Sequence, residues 1–200
     1  HINPQVGKRY FDPAKYFGYD LGFSCAPVKL GPCPEFEAKI ISEDADYVTS
    51  VDYRGLTVRN RRDGGSMPEF ISHPVKWRAA WEIYRAERLL PQHEARLAEV
   101  DAWVELVSKI DCPRQFGCFP WGAFGTLRDL FGAEETLLLF YDDPELVSDV
   151  LQTLYDLWLE LLEKVCVKIQ IDHFHIWEDI SGKQGSLISM AMVEEFLMPQ

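Results

Sequence analysis

DDPELVSDVLQTLYDLWLELLEKVCVKIQIDHFHIWED, Asp142–Asp179, is the stretch whose pattern decides the fold. Asp142-Asp143-Pro144 is a helix start: an aspartate oxygen can accept from free N–H groups, and proline in the first helical position gives up no bond. Val147, Val150, Leu151, Leu154, Trp158, Leu161 and Val165 then recur at helical spacing as one apolar stripe. Lys164 and Lys168 lie near the negative end of the helix dipole. The pattern predicts a helix reaching about Ile169, followed after almost no linker by a strand over Ile171–Trp177. Glu178-Asp179 sit where that strand ends. Helix, tight turn, strand and acidic pair are the grammar of a parallel α/β fold, in which loops after strand C-termini carry the chemistry.

Working outward, Ser189–Gln200 has the apolar spacing of a further helix, through Met192, Val193, Phe196 and Leu197, with nothing after it to pack against. Upstream, Gln115–Phe119 reads as a short buried strand, then Pro120-Trp121-Gly122 and a helix through Phe131 that Gly132 closes. Two helices are expected over Val75–Leu89 and Gln92–Lys109, the second stopped by Cys112-Pro113. Met67–Pro74 reads as a loop and Asp63–Ser66 as a turn. Between Phe36 and Arg62, the runs FEAKIIS, DYVTSVD and GLTVRNRR predict a small three-stranded antiparallel meander. Asp12-Pro13 starts a short helix over Ala14–Phe17. The first residue is His1 and the last helix lacks a partner, so the chain reads as a piece of a longer protein.

The 200 residues are 47% hydrophobic and 26% charged, which suits one globular unit. A net charge of -12 disfavours nucleic acid and anionic membrane surfaces as partners, since carboxylates would be brought against phosphates. Five scattered cysteines without a CxxC pair, and no signal-peptide pattern, fit reduced thiols in the cytoplasm. No window approaches the ~18 uninterrupted apolar residues of a membrane helix.

Glu178 and Asp179 are the first candidates for catalysis: two carboxylates at a strand end can orient a substrate, hold a cation or move a proton. Strand alternation aims them apart, and the plainer reading is that they cap the following loop. His173 and His175 face the same way on a strand, as two metal ligands would, with Asp172 able to add an oxygen; otherwise they are hydrogen-bonded histidines of a packed barrel. Trp121 and Arg128 are candidates for a pocket mouth, Arg128 as anchor for a substrate carboxylate. Arg54, Arg59, Arg61 and Arg62 could grip an acidic substrate, although alternating basic residues on a strand are usually a solvated face. Gly117, Gly122 and Gly125 do not form a phosphate loop, and there is no serine nucleophile elbow.

WEDISGKQGSLISMAMVEEFLMPQ, Trp177–Gln200, resembles the segment that members of the uroporphyrinogen-decarboxylase superfamily carry after a middle barrel strand. GAFGTLRDLFGAEETLLLFYDDPELVSDVL, Gly122–Leu151, is similar to the same family's run of glycine, aromatic residue and Asp-x-Pro-Glu at the right distance. Pro34–Val75 is similar to a β-rich insertion of uncharacterised members. The resemblance implies part of a (β/α)8 TIM barrel, residues 1–200 forming one partial domain with the β-rich insertion at about 36–62. It also implies a pocket that includes Trp177, Glu178, Asp179 and Lys183.

The family's decarboxylases carry an Arg-Gln-Ala-Gly-Arg-Tyr motif with no match here. Their pocket tyrosine falls on Arg128, and the serine after the strand-end acid falls on Asp179. These departures argue against uroporphyrinogen as substrate. The other branch moves methyl groups between a corrinoid and a small acceptor, with zinc held by a His-x-Cys pair and a distant Cys that would lie beyond Gln200. The expectation is therefore a cytoplasmic methyltransferase-like enzyme acting on a small molecule. Decarboxylation through Arg128 or the Arg54–Arg62 patch is the alternative, and a non-catalytic module or metal hydrolase using His173 and His175 a third. A partial barrel exposes strand edges, so a homo-oligomer or the remainder of the barrel is the expected partner.

Overall fold

The computed structural model describes residues 16–20, 22–65 and 67–198. The fold is mixed α/β. Three short strands, β1 (Ser24–Cys25), β6 (Arg114–Phe116) and β7 (His173–Phe174), form a parallel sheet in the order β1-β6-β7. Between β1 and β6 the chain builds an antiparallel meander of β2 (Lys39–Glu43), β3 (Tyr47–Val51), β4 (Thr57–Arg61) and β5 (Glu69–Ser72). It then forms helix α1 (Arg78–Arg88), a 3₁₀ turn at Glu94–Arg96, and α2 (Val100–Val107). Between β6 and β7 lie α3 (Ala123–Phe131), α4 (Ala133–Asp142) and α5 (Pro144–Cys166). A hairpin of β8 (Ser181–Gly182) and β9 (Gly185–Ser186) follows β7, and α6 (Met190–Met192) runs into a π-helical turn at Val193–Leu197. No helix of the described residues is long and apolar enough to cross a membrane.

Helix α5 begins as its sequence predicts. The Asp143 side chain accepts from the Leu146 N–H at 3.1 Å, and Pro144 is the first helical residue. Its stripe buries Leu146, Val147, Val150, Leu151, Leu154, Leu157, Leu161 and Val165 against a core shared with Trp81, Val100, Val107, Phe124 and Leu127. Burying each leucine of that stripe is worth roughly 1.5–3 kcal/mol. Trp158, at the stripe's edge, donates its indole N–H to the Leu30 carbonyl at 3.0 Å and so ties the loop after β1 to α5.

Several expectations need correction. The meander has four strands, because Glu69–Ser72 pairs with Thr57–Arg59 where the sequence suggested a loop. The expected Gln92–Lys109 helix is broken into the 3₁₀ turn and α2. Gly132 does close α3, but at φ 103° it also opens α4, a helix the sequence reading passed over. The strand after Cys112-Pro113 covers Arg114–Phe116, shifted from the expected run, since Gly117 at φ 85° turns the chain out of the sheet. The terminal segment does find packing partners: Phe196 is buried, with its ring edge-on to Phe140 at 5.1 Å. Of the expected Ala14–Phe17 helix, Tyr16 and Phe17 are helical, and the rest lies outside the described residues.

Candidate functional site at the strand ends

β7 is extended by backbone bonds on both sides of its paired residues. Asp172 N–H donates to the Arg114 carbonyl, His175 N–H to Phe116 and Trp177 N–H to Trp121, all at 2.9 Å. Side chains alternate along this run. His173, His175 and Trp177 fall on one face, where their rings make a row. Phe23 stacks on His173 at 4.6 Å, the two imidazoles are 6.4 Å apart, His175 stacks on Trp177 at 6.1 Å, and Phe119 meets Trp177 edge-on at 5.1 Å. Phe23, Phe119 and Trp177 are exposed while the histidines are half-buried, so the row is an aromatic surface open to solvent, with Phe119 perpendicular to Trp177 and the two imidazoles tilted by 59°. Phe174 and Ile176, on the other face, border a cavity of about 150 Å³ between the sheet and α5, walled also by Leu30, Trp121, Tyr155 and Trp158. Burial pushes the Tyr155 phenol up to about 12, so it faces this cavity as a neutral group.

This close approach is set by glycine. A Cβ on Gly122 would lie 1.9 Å from the Trp177 carbonyl oxygen, and one on Gly117 would lie 2.2 Å from that of His175. The glycines that fail as a phosphate loop thus let β7's exit run against the turn into α3.

The acidic pair is committed to α3. Glu178 accepts from the Ala123 N–H at 2.6 Å and the Phe124 N–H at 3.1 Å, supplying the helix N-terminus with the cap that Gly122 lacks. The residue keeps an exposed flank while its carboxylate turns inward, and burial raises its pKa against the opposing pull of the helix amides. Asp179 pairs with Arg128 at 2.8 Å, and Arg128 also donates to the Asp179 carbonyl at 3.0 Å. Both carboxylates, and Arg128, therefore hold the strand-end loop onto one helix. The capping reading of the pair describes them better than the catalytic one. Lys183 is exposed on the turn between β8 and β9.

Among the described residues no group of three or more His, Cys, Asp or Glu side chains is placed to hold one metal ion. The basic run is internally paired too: Arg54 with Asp52 and Asp129, Arg59 with Glu69, Arg61 with Asp63, Arg62 with Glu43.

Sequence reading missed a thiol pair. Cys25 ends β1 and Cys118 follows the Gly117 turn, so the two thiols sit at adjacent strand ends. The Cys25 sulfur also lies 3.4 Å from the Gly117 carbonyl. The signal was present: Phe-x-Cys-x-Pro occurs twice, at Phe23–Pro27 and Phe116–Pro120, both times at a strand end. The fold and site thus define a mixed α/β protein with an aromatic row running along β7 and two thiols at the ends of β1 and β6. No family model matches the chain, and no curated protein or solved structure matches it.

Proposed function

We propose that the chain is part of a (β/α)8 barrel of the uroporphyrinogen-decarboxylase superfamily, and that its strand ends serve methyl transfer between a corrinoid and a small acceptor. The observation that carries this reading is the sheet order β1-β6-β7: parallel strands in chain order, helices between them, and the chemically distinct side chains gathered at their C-terminal ends. A corrin ring is largely apolar, and the Phe23–His173–His175–Trp177–Phe119 row offers it exposed aromatic contact. When bound, a corrinoid supplies the carrier for the methyl group. Phe23, Phe119 and Trp177 would contact the ring, while Glu178 and Asp179 fix the loop that bears Trp177. The described residues do not fit zinc, and no step is assigned to it.

Decarboxylation is the weaker reading, because the arginines it needs already have carboxylate partners. The test is a titration of the protein with methylcobalamin, followed by tryptophan fluorescence, and then addition of a small thiol while methylcobalamin absorbance is recorded. Saturable binding that weakens about 10-fold or more in Trp177→Ala, a loss of at least ~1.4 kcal/mol, is expected. The reading fails if binding is absent, or if the protein releases CO2 from a porphyrinogen instead.

A further inference from the structure

Cys25 and Cys118 are brought to neighbouring positions by the sheet register and the turn at Gly117. β1 and β6 are adjacent and parallel, with Cys25 opposite Gln115, and the Ala26 N–H donates to the Gln115 carbonyl at 2.8 Å. That register leaves Cys118 three residues beyond Gln115. The positive φ of Gly117 turns the chain there and returns Cys118 to Cys25, in a position where a Cβ would strike the His175 carbonyl. Both thiols are half-buried, whereas Cys33 and Cys112 are buried in the core and Cys166 stands exposed on α5. Half-burial leaves a small molecule a path to the sulfurs.

We propose that Cys25 and Cys118 form a reactive dithiol that exchanges with low-molecular-weight disulfides, Cys118 attacking and Cys25 resolving. The site is independent of the methyl-transfer reading. The Cys25 S–H reaches the Gly117 carbonyl at 3.4 Å, beside Cys118, and interaction between the thiols lowers the Cys118 pKa to about 7 while the Cys25 thiol is pushed up, so ionisation falls on Cys118. The other groups near the pair are the Gln115 amide from β6, which donates to the Gly117 carbonyl at 2.8 Å, and the Tyr53 phenol from the turn between β3 and β4.

In the first step the Cys118 thiolate attacks one sulfur of R–S–S–R, forming a mixed disulfide and releasing RS⁻, which takes a proton from water. In the second, Cys25 gives up its proton and attacks the Cys118 sulfur, closing the Cys25–Cys118 bond and releasing the second thiolate. The protein dithiol is oxidised by two electrons, and one external disulfide is reduced to two thiols.

The probe is oxidised glutathione on the native chain carrying Cys166→Ser. Peptide mapping should find Cys25 joined to Cys118 with no glutathione retained. Cys25→Ser should stall as a glutathione adduct on Cys118, and Cys118→Ser should leave Cys25 unmodified. Alkylation by iodoacetamide gives a second readout. Losing the Cys25 thiol returns Cys118 from about 7 towards the ordinary 9.0. At pH 7 that cuts the thiolate fraction about 50-fold and raises its intrinsic reactivity about 8-fold, so Cys25→Ala should slow Cys118 labelling about 6-fold. Should the variants fail to fold, the wild-type labelling profile, with its midpoint expected near 7, decides alone. A wild type that stops at the Cys118 adduct, an unreactive Cys118, or a labelling midpoint at the ordinary thiol value would overturn the proposal.

Discussion

Arg96 is a fully buried guanidinium with no carboxylate paired to it among the described residues. It donates instead to four carbonyls: Leu90 at 2.7 Å, Lys29 at 2.6 Å, Gly31 at 2.8 Å and Arg88 at 2.6 Å. These belong to the end of α1 and to the loop after β1, so one side chain joins two segments more than fifty residues apart in sequence. Arg96→Leu would strand the Lys29 and Gly31 carbonyls in a site that water does not reach, and would strip one donor from those of Arg88 and Leu90, which keep the Cys33 N–H at 2.8 Å and the His93 N–H at 3.4 Å. An unmade buried bond costs about 1–3 kcal/mol, but the variant also escapes the cost of desolvating a charge, and the acceptors share that relief. The net loss should be about 4 kcal/mol. With a urea m-value of about 2 kcal/mol/M, the unfolding midpoint should fall by about 2 M. Arg96→Lys keeps the charge but supplies fewer donors without the planar fork, and should lie between the two. The measurement is equilibrium urea unfolding followed by circular dichroism. A midpoint within about 0.3 M of wild type for Arg96→Leu would mean that the carbonyls find other donors, and that the loop does not depend on this residue.

Burial raises Glu178 above its unfolded value, so its contribution to stability is whole below the unfolded pKa and is lost as pH rises through the folded one. The stability advantage of wild type over Glu178→Gln should therefore shrink between pH 4 and pH 7 in paired urea titrations, and an advantage that grows would refute the sign. Gly122→Ala should cost about 3 kcal/mol, because its Cβ meets the Trp177 carbonyl at 1.9 Å; thermal unfolding with no change in midpoint would refute the close approach. Arg54→Met alone leaves the half-buried Asp129 carboxylate without its cation and should cost about 3 kcal/mol, part of which Asp129→Asn in the same chain should restore. Additive losses in that double-mutant cycle would show the pair to be uncoupled.

What the sequence makes legible depends on how local the deciding contacts are. α5 could be read from its own residues, since Asp143, Pro144 and the apolar stripe act within the helix. The alternation of helix and strand likewise announces a parallel arrangement. β5 was not legible because Glu69–Ser72 becomes a strand only through pairing with Thr57–Arg59, across a turn the sequence reading took as the end of the meander. α4 was hidden by Gly132, a residue read as a stop that here is both stop and start. Arg96 has the look of a solvated helix residue, and its acceptors at Lys29 and Gly31 lie too far away in sequence to suggest otherwise. The site divides in the same way. The aromatic row follows from alternation along β7, whereas the destinations of Glu178, Asp179 and Cys118 depend on neighbours brought in from α3 and β1.

Those destinations converge on α3. Its N-terminal amides take Glu178, its Arg128 takes Asp179, and the next residue, Asp129, takes Arg54 of the meander at 2.5 Å. One nine-residue helix is thus attached at one end to the loop that carries Trp177 and at the other to the β-rich insertion. His73, just after β5, adds a second link, its Nδ1 lying 3.0 Å from the Asp129 carbonyl. A helix this short is marginal alone and owes its order to what it packs against. Any movement of the meander must therefore pull on the same helix that positions Trp177, which gives the insertion a mechanical route to the aromatic row without touching it. The acidic pair that first suggested catalysis at this strand end thus ties its loop to the helix that also carries the insertion's ion pair.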